Sequence, residues 1–204
     1  MPKIVDHEAR RQEIVAATMR VVERVGLEGV TIREIAREAG CSAGILAHYF
    51  KNKDDILVTA HVAAFAQVIR RIDALRERID NPVDLMRRAL EEALPLDPPR
   101  HLEAKIDVSF WGLALHDDRL REVREQSYES GVAAWQEQVE VIVAAGLARE
   151  DTDAAAVARE TAALIDGISI EAVLFPTKMT PERQLAAIEH HLASFTRVEA
   201  RSPR

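Results

Sequence analysis

Between Thr31 and Lys53 the chain reads TIREIAREAGCSAGILAHYFKNK, and its side chains suit contact with a polyanion. Thr31, Ser42 and Tyr49 offer hydroxyls and Lys53 an ammonium, groups that hold phosphate oxygens; His48 can touch either a phosphate or a base. They stand on two short helical runs separated by Ala-Gly-Cys-Ser. Thr31 can cap the first run, and Glu34 follows three residues on, an N-cap signature. Ile32, Ile35, Ala36 and Ala39 repeat at helical spacing. Gly40 supplies the left-handed position that ends this run, and Ser42 can cap the next. The second run is anchored by Ile45 and Leu46 and opens on the small residues Ala43 and Gly44, so its backbone can lie close to a partner. This is a helix-turn-helix, the geometry that lets a second helix enter the DNA major groove. Ile45 can touch a thymine methyl there without reading hydrogen bonds.

Other chemistries find no constellation. There is no glycine-rich phosphate loop, no serine-centred nucleophile elbow and no His-Glu-x-x-His. His190 and His191 are adjacent, so they point to different sides of a helix and make a poor metal pair. His61, His101 and His116 are isolated, and Asp166 reads as a structural group inside an apolar stripe. The single cysteine, Cys41, forbids an internal disulfide and a cysteine-based zinc site; in the tight turn it reads as a packing residue. No catalytic residue, metal or cofactor is expected, and the chain reads as a non-enzyme.

The elements that must position the motif are helical throughout. Ile14, Ala17, Thr18, Val21, Val22 and Val25 form the stripe of a first amphipathic helix over 7–25, ended by Gly26. Asn52 can cap a long helix from about Lys53 to Ile79, and Asn81-Pro82 starts another. The segment Pro95–Pro99 reads as a loop. Helices are then expected from about Arg100 to Leu115, from Asp118 to Ala145, from Asp151 toward Pro176, and from Pro181 to about Thr196; the tail Glu199–Arg204 should fray. The expected fold class is all-α with about nine helices. A three-helix head over residues 1–52 would carry the helix-turn-helix, and a helical body over 53–204 would follow it.

The net charge of −7 is unevenly spread. Residues 1–53 hold 9 Lys and Arg against 7 Asp and Glu, and residues 54–204 hold 18 against 27. Phosphate contact needs only a local basic surface, and an acidic body behind it can orient the head toward DNA. No stretch approaches the roughly 18 apolar residues of a membrane span. The charged opening MPKIVDHEARRQE is unlike a secretory signal, so a cytoplasmic location is expected.

The head resembles that of the TetR family of transcriptional regulators, through its helix, helix-turn-helix and His-Tyr-Phe-Lys-x-Lys exit (His48 to Lys53). It is most similar to the betaine-inhibitor subgroup, through Met1-Pro2-Lys3, Ser42 to Phe50 and Ala-Leu-Ile-Asp-Gly (Ala163 to Gly167). The chain departs from the pattern at Ala47, where many members carry an aromatic. The resemblance implies a homodimeric repressor that binds a palindromic double-stranded operator and leaves it when a small-molecule effector binds. It implies that Arg33 matches a position from which some members reach a guanine. It also implies an effector site between the long helix and the middle helices, where Phe65, Glu103, Asp107, Phe110, Trp111, Tyr128 and Trp135 are the candidates. An aromatic wall with a carboxylate would suit a quaternary ammonium; the alternative is that the aromatics fill the core and the acids face water.

The late stripes Thr161, Leu164, Ile165, Ile168 and Leu185, Ile188, Leu192 look like the family's four-helix dimer interface. Periodicity alone leaves open that they pack into their own subunit. Two rival functions also stay open: an all-α small-molecule-binding protein or enzyme whose head does not touch DNA, and an adaptor whose head pairs with another protein.

Overall fold

Local chemistry sets the helix boundaries of the chain. The computed structural model describes residues 7–197, apart from the side chains of His7, Glu8, Leu27, Glu28 and Lys53. Met1-Pro2-Lys3, the Glu199–Arg204 tail and the Lys53 side chain thus lie outside the described residues. Among the described residues there are nine helices: α1 (His7–Gly29), α2 (Ile32–Glu38), α3 (Ala43–Leu46), α4 (Lys53–Arg76), α5 (Pro82–Ala93), α6 (Pro98–Ala114), α7 (Asp118–Ala144), α8 (Ala154–Leu174) and α9 (Pro181–Phe195). Extended pairing is limited there to one isolated bridge, Ala148 to Thr196.

Gly26, at φ 74°, breaks α1 where the sequence places the stop, although helical turns resume to Gly29. Asn52 accepts from the Asp55 amide at 3.0 Å and opens α4; Asn81 does the same for α5, with Pro82 in its first turn. One boundary differs from expectation. Asp97 accepts from the Arg100 amide at 2.9 Å, so Pro98 and Pro99 open α6 and do not lie in a loop. Proline lacks only the N–H that a first turn leaves unpaired anyway.

The helices close two apolar clusters. The first joins Ile14, Val21, Ile35, Leu46 and Phe50 of the head to Ile56, Leu57 and Ala60 of α4, to Ile106 and Phe110 of α6, and to Leu120 of α7. Apolar contact thus crosses the expected boundary after residue 52. The second lies at the far end of the body, among Ile72, Met86, Leu90, Trp135, Ile142, Ile168, Ile188, Leu192 and Phe195. Helix α4 contributes to both, and a cavity opens between them.

The late helices require a correction. Thr161, Ile168, Ile188 and Leu192 are buried within their own chain and have no surface to offer a partner. The Thr161 hydroxyl donates to the Val157 carbonyl at 2.7 Å and accepts from His191 Nε2, also at 2.7 Å, so its polar capacity is used inside the subunit. Burial lowers the pKa of His191, favouring its neutral form. Leu164 and Leu185 are half-buried against the second cluster, and Ile165 lines the cavity. The outward face of α8 carries Ala163, Gly167, Glu171 and Leu174, with Phe175 beyond its end. A periodic stripe says that a face is buried; it does not say against which chain.

Phe110 is fully buried where the head's core meets the cavity, with the His61 ring stacked on it at 4.3 Å. Phe110→Ala is expected to cost about 3–5 kcal/mol in a denaturant titration. Head and body should lose stability in one transition. A body that melts at its original midpoint while the head melts early would contradict a shared core.

Candidate nucleic-acid interface and internal cavity

The turn of the helix-turn-helix is built as a left-handed helix stop. Gly40 sits at φ 61°, the Cys41 amide bonds the Ala36 carbonyl at 2.9 Å, and the Gly40 amide bonds Arg37 at 3.3 Å. Thr31 caps α2 by accepting from the Glu34 amide, and Ser42 caps α3 by accepting from the Ile45 amide, both at 3.3 Å. Helix α1 is held against α2 by Arg20 and Arg24, which both reach Glu38, at 2.7 and 3.2 Å. Those bonds, Arg20 first, hold the Glu38 carboxyl below its usual range.

Leu46 is the inward anchor of α3, and around it Ser42, Ala43, Gly44, Ile45 and His48 are all exposed. Thr31 and Arg33 are exposed on the adjoining start of α2, and Tyr49 is half-buried. A Cβ at Gly44 would meet nothing closer than Ser42 Oγ at 3.7 Å, so nothing inside the chain requires glycine there. The surface is therefore one rim of small residues, hydroxyls and one guanidinium beside a one-turn helix.

This rim is tied to the body. Asp55, in the first turn of α4, accepts from the Lys51 amide at 2.7 Å and from the Arg119 guanidinium of α7. Arg119, and then the Lys51 amide, hold its carboxyl below the usual range. The first turn of α7 thus grips the exit of the motif, while Leu120 enters the head's core.

Farther along α4 and α7 lies a cavity of about 390 Å³. Of the expected pocket residues, Phe65, Glu103, Asp107, Tyr128 and Trp135 line it. Phe110 and Trp111 do not. Phe110 is packed behind His61, and Trp111 lies beneath the Arg124 guanidinium, 4.6 Å from the ring centre. Arg124 is also 5.9 Å from the Tyr128 ring, so a cation of the chain's own already faces two of the aromatics. Glu103 is taken as well: Arg71 holds both its oxygens, at 2.8 and 2.6 Å, and reaches Glu92 at 2.8 Å.

The lining also holds groups that sequence reading missed. His61 is buried, with Nδ1 3.2 Å from Asp107 and Nε2 3.1 Å from Ser127 Oγ. Arg124 meets both oxygens of Asp166 at 3.3 Å, and its Nε lies 3.8 Å from Asp107. The isolated histidine and the structural aspartate are thus wall groups of one network joining α4, α6, α7 and α8. Burial pushes the Asp166 carboxyl up to about 6; Arg124 partly offsets this, and the like charge of Asp107 adds to it. Gln138, farther down α7, is buried with no hydrogen-bond partner for Oε1 among the described residues. A signal existed in the spacing. Arg124, Tyr128, Gly131, Trp135 and Gln138 recur at three or four residues, which puts them on one helix face.

Two family models match the chain: bacterial regulatory proteins of the tetR family over residues 14–60, and the C-terminal region of BetI-type transcriptional repressors over residues 82–197. The HTH-type transcriptional regulator PksA of Bacillus subtilis is 30% identical, the match covering 95% of this chain and 93% of that protein. The HTH-type transcriptional regulator BetI of Vibrio campbellii is 27% identical, with 94% of each chain covered. A regulator from Saccharomonospora viridis, crystallised in complex with choline, shares the fold at a TM-score of 0.81 with 23% identity; the match spans 95% of this chain and 100% of that one.

Asp166 carries a pH prediction. With its folded pKa near 6 and an ordinary value of 3.8, it keeps its proton longer in the folded state than in the unfolded one. Stability should fall as pH rises between those values, and the penalty should be complete above about pH 6. Asp166→Asn removes it. Allowing for the group's partial exposure, the variant should gain about 1–2 kcal/mol over the native chain at pH 7 and nothing below about pH 4. Paired thermal melts at the two pH values read the difference directly.

Proposed function

The chain belongs to the TetR family of bacterial transcriptional regulators, with a BetI-type C-terminal region, and from that premise we propose how its parts divide the work of a ligand-released repressor. Thr31, Ser42, Tyr49 and Lys53 hold backbone phosphates, and His48 touches phosphate or base. Ala43, Gly44 and Ile45 bring the α3 backbone against the base edges, and Arg33 pairs with a guanine. The observation that carries this reading is the exposed, capped α3 rim, whose exit is gripped by the same α7 that walls the cavity.

The working unit is a homodimer on a palindromic operator, because each head covers only a few base pairs of one groove. The end of α8 supports this assembly: Leu174 and Phe175 are 58% and 53% exposed, large apolar side chains that continue an outward face carrying the small Ala163 and Gly167 and the exposed Glu171. The effector site is the cavity between α4, α6, α7 and α8. Effector binding selects an arrangement of the body in which the two α3 helices no longer match successive grooves. Helix α4 transmits the change, and the Arg119–Asp55 link makes α7 a second route.

Gel-shift titration on DNA upstream of the chain's own coding region tests the first claim. A retarded complex whose affinity falls steeply with salt is expected, since phosphate contacts dominate it; no complex at low salt would overturn the reading. Arg33→Ala should relax preference at one position of each half-site at a cost of about 1–3 kcal/mol. Even weakening across a randomised operator library would make Arg33 a phosphate contact instead. Phe175→Glu should shift the protein from dimer to monomer in sedimentation at unchanged helicity, because a charge in an apolar contact is strongly unfavourable. An unaltered dimer would place the interface elsewhere.

A further inference from the structure

The cavity is long and its two ends differ. Arg124 and Gln138 both line it from α7, and at 1.5 Å per residue their levels are roughly 21 Å apart. At the near end Asp166 faces the cavity. Two other carboxylates of this wall already have close partners: the half-buried Asp107 lies 3.2 Å from His61, and the buried Glu103 is held by Arg71 at 2.6 Å. Asp166 has only the two long contacts to Arg124, at 3.3 Å, and its raised pKa reports an under-compensated charge. In the middle the wall is apolar and aromatic, with Phe65, Ile69 and Trp135. At the far end Gln138 is 8% exposed, and its amide oxygen has no donor among the described residues. An acceptor buried in this way is a net cost to the fold until a donor reaches it.

We infer that the effector is an elongated apolar amine, with a protonated N–H group set against Asp166, a hydrocarbon or aromatic body along Phe65 and Trp135, and a second hydrogen-bond donor for Gln138 at the far end. Charge favours the cation at this end, where the two carboxylates Asp166 and Asp107 outnumber the one guanidinium between them, Arg124. Asp166 and Gln138 Oε1 are acceptors that an N–H can serve and that a quaternary ammonium, with no hydrogen to give, cannot; the unpartnered donor Arg124 Nε already lies 3.8 Å from Asp107. Aromatic caging compensates for that lack where ring faces are free, but at the Asp166 end the chain's own Arg124 already lies against Trp111 and near Tyr128. Joining Asp166, the amine would compete for the carboxylate that Arg124 holds. Arg124 lies between Arg119, which grips the head, and the rest of the cavity wall.

This inference rests on the cavity being the effector site, and its test separates the two. Thermal midpoint and operator release are measured with four ten-carbon probes: 10-amino-1-decanol, decylamine, decyltrimethylammonium and decanoate. Both amines should raise the midpoint, since a ligand that binds only the folded state stabilises it, and should release the operator over the same concentrations. The amino alcohol should bind several-fold more tightly than decylamine, and the trimethylated and carboxylate probes at least tenfold more weakly. Asp166→Asn should weaken decylamine tenfold or more, and Gln138→Leu should erase the advantage of the amino alcohol. Equal or tighter binding of decanoate or decyltrimethylammonium, or no probe shifting the midpoint, overturns the inference whether or not the variants fold. Amines that bind without releasing an operator which the free protein retards keep the ligand class and sink the cavity's role in release.

Discussion

A head of about fifty residues cannot bury enough apolar surface to be comfortably stable alone, because the fraction buried on folding falls with chain length. That constraint organises this molecule. Helices α1 to α3 place Ile14, Val21, Ile35 and Leu46 in a cluster that is completed only by Ile56 and Leu57 of α4, Phe110 of α6 and Leu120 of α7. The head therefore takes its position from the body's helices. A DNA-reading surface that leans on the core of a ligand-binding body must respond when that body rearranges.

The polar groups follow from the same geometry. Where α4, α6, α7 and α8 diverge below the shared cluster they leave a cavity of about 390 Å³, and the side chains that wall it bring charge into the protein. Buried charge persists only when paired and hydrogen-bonded. Arg71 is matched to Glu92 and Glu103, His61 to Asp107 and Ser127, and Arg124 to Asp166. The pairings are unequal. Arg71 holds Glu103 by two short bonds and Glu92 by one, whereas the contacts of Arg124 to Asp166 are long. The unequal satisfaction marks the Arg124 end as the part of the network that another cation can enter at least cost.

Helix α7 joins these two themes. Arg119, in its first turn, grips Asp55 at the exit of the reading motif, and Leu120 enters the head's core. Arg124 and Ser127 follow within about two turns and face the cavity. One helix therefore carries both sets of contacts, and it is along this helix that we propose a change at the cavity reaches the head. The long α4 does the same from the opposite wall, through Ile56 and Ala60 at one end and Phe65 and Ile72 at the other.

Sequence by itself determined what depends on neighbours a few residues apart. The caps at Thr31, Ser42, Asn52 and Asn81, the left-handed Gly40 and the amphipathic stripe of α1 are all local, and so the all-α class and the reading motif were legible. The proline pair after Asp97 was misread because a loop and a helix start use the same residues, and only the Asp97 cap separates them. Tertiary structure decided which side each apolar stripe faces and which polar groups meet. Thr161 and Ile168 are periodic in either setting, and only packing shows them enclosed by their own subunit. His61 and Ser127 are 66 residues apart, and Arg124 and Asp166 are 42 apart. No spacing rule spans such separations, because the contacts exist only once four helices have converged on one cavity.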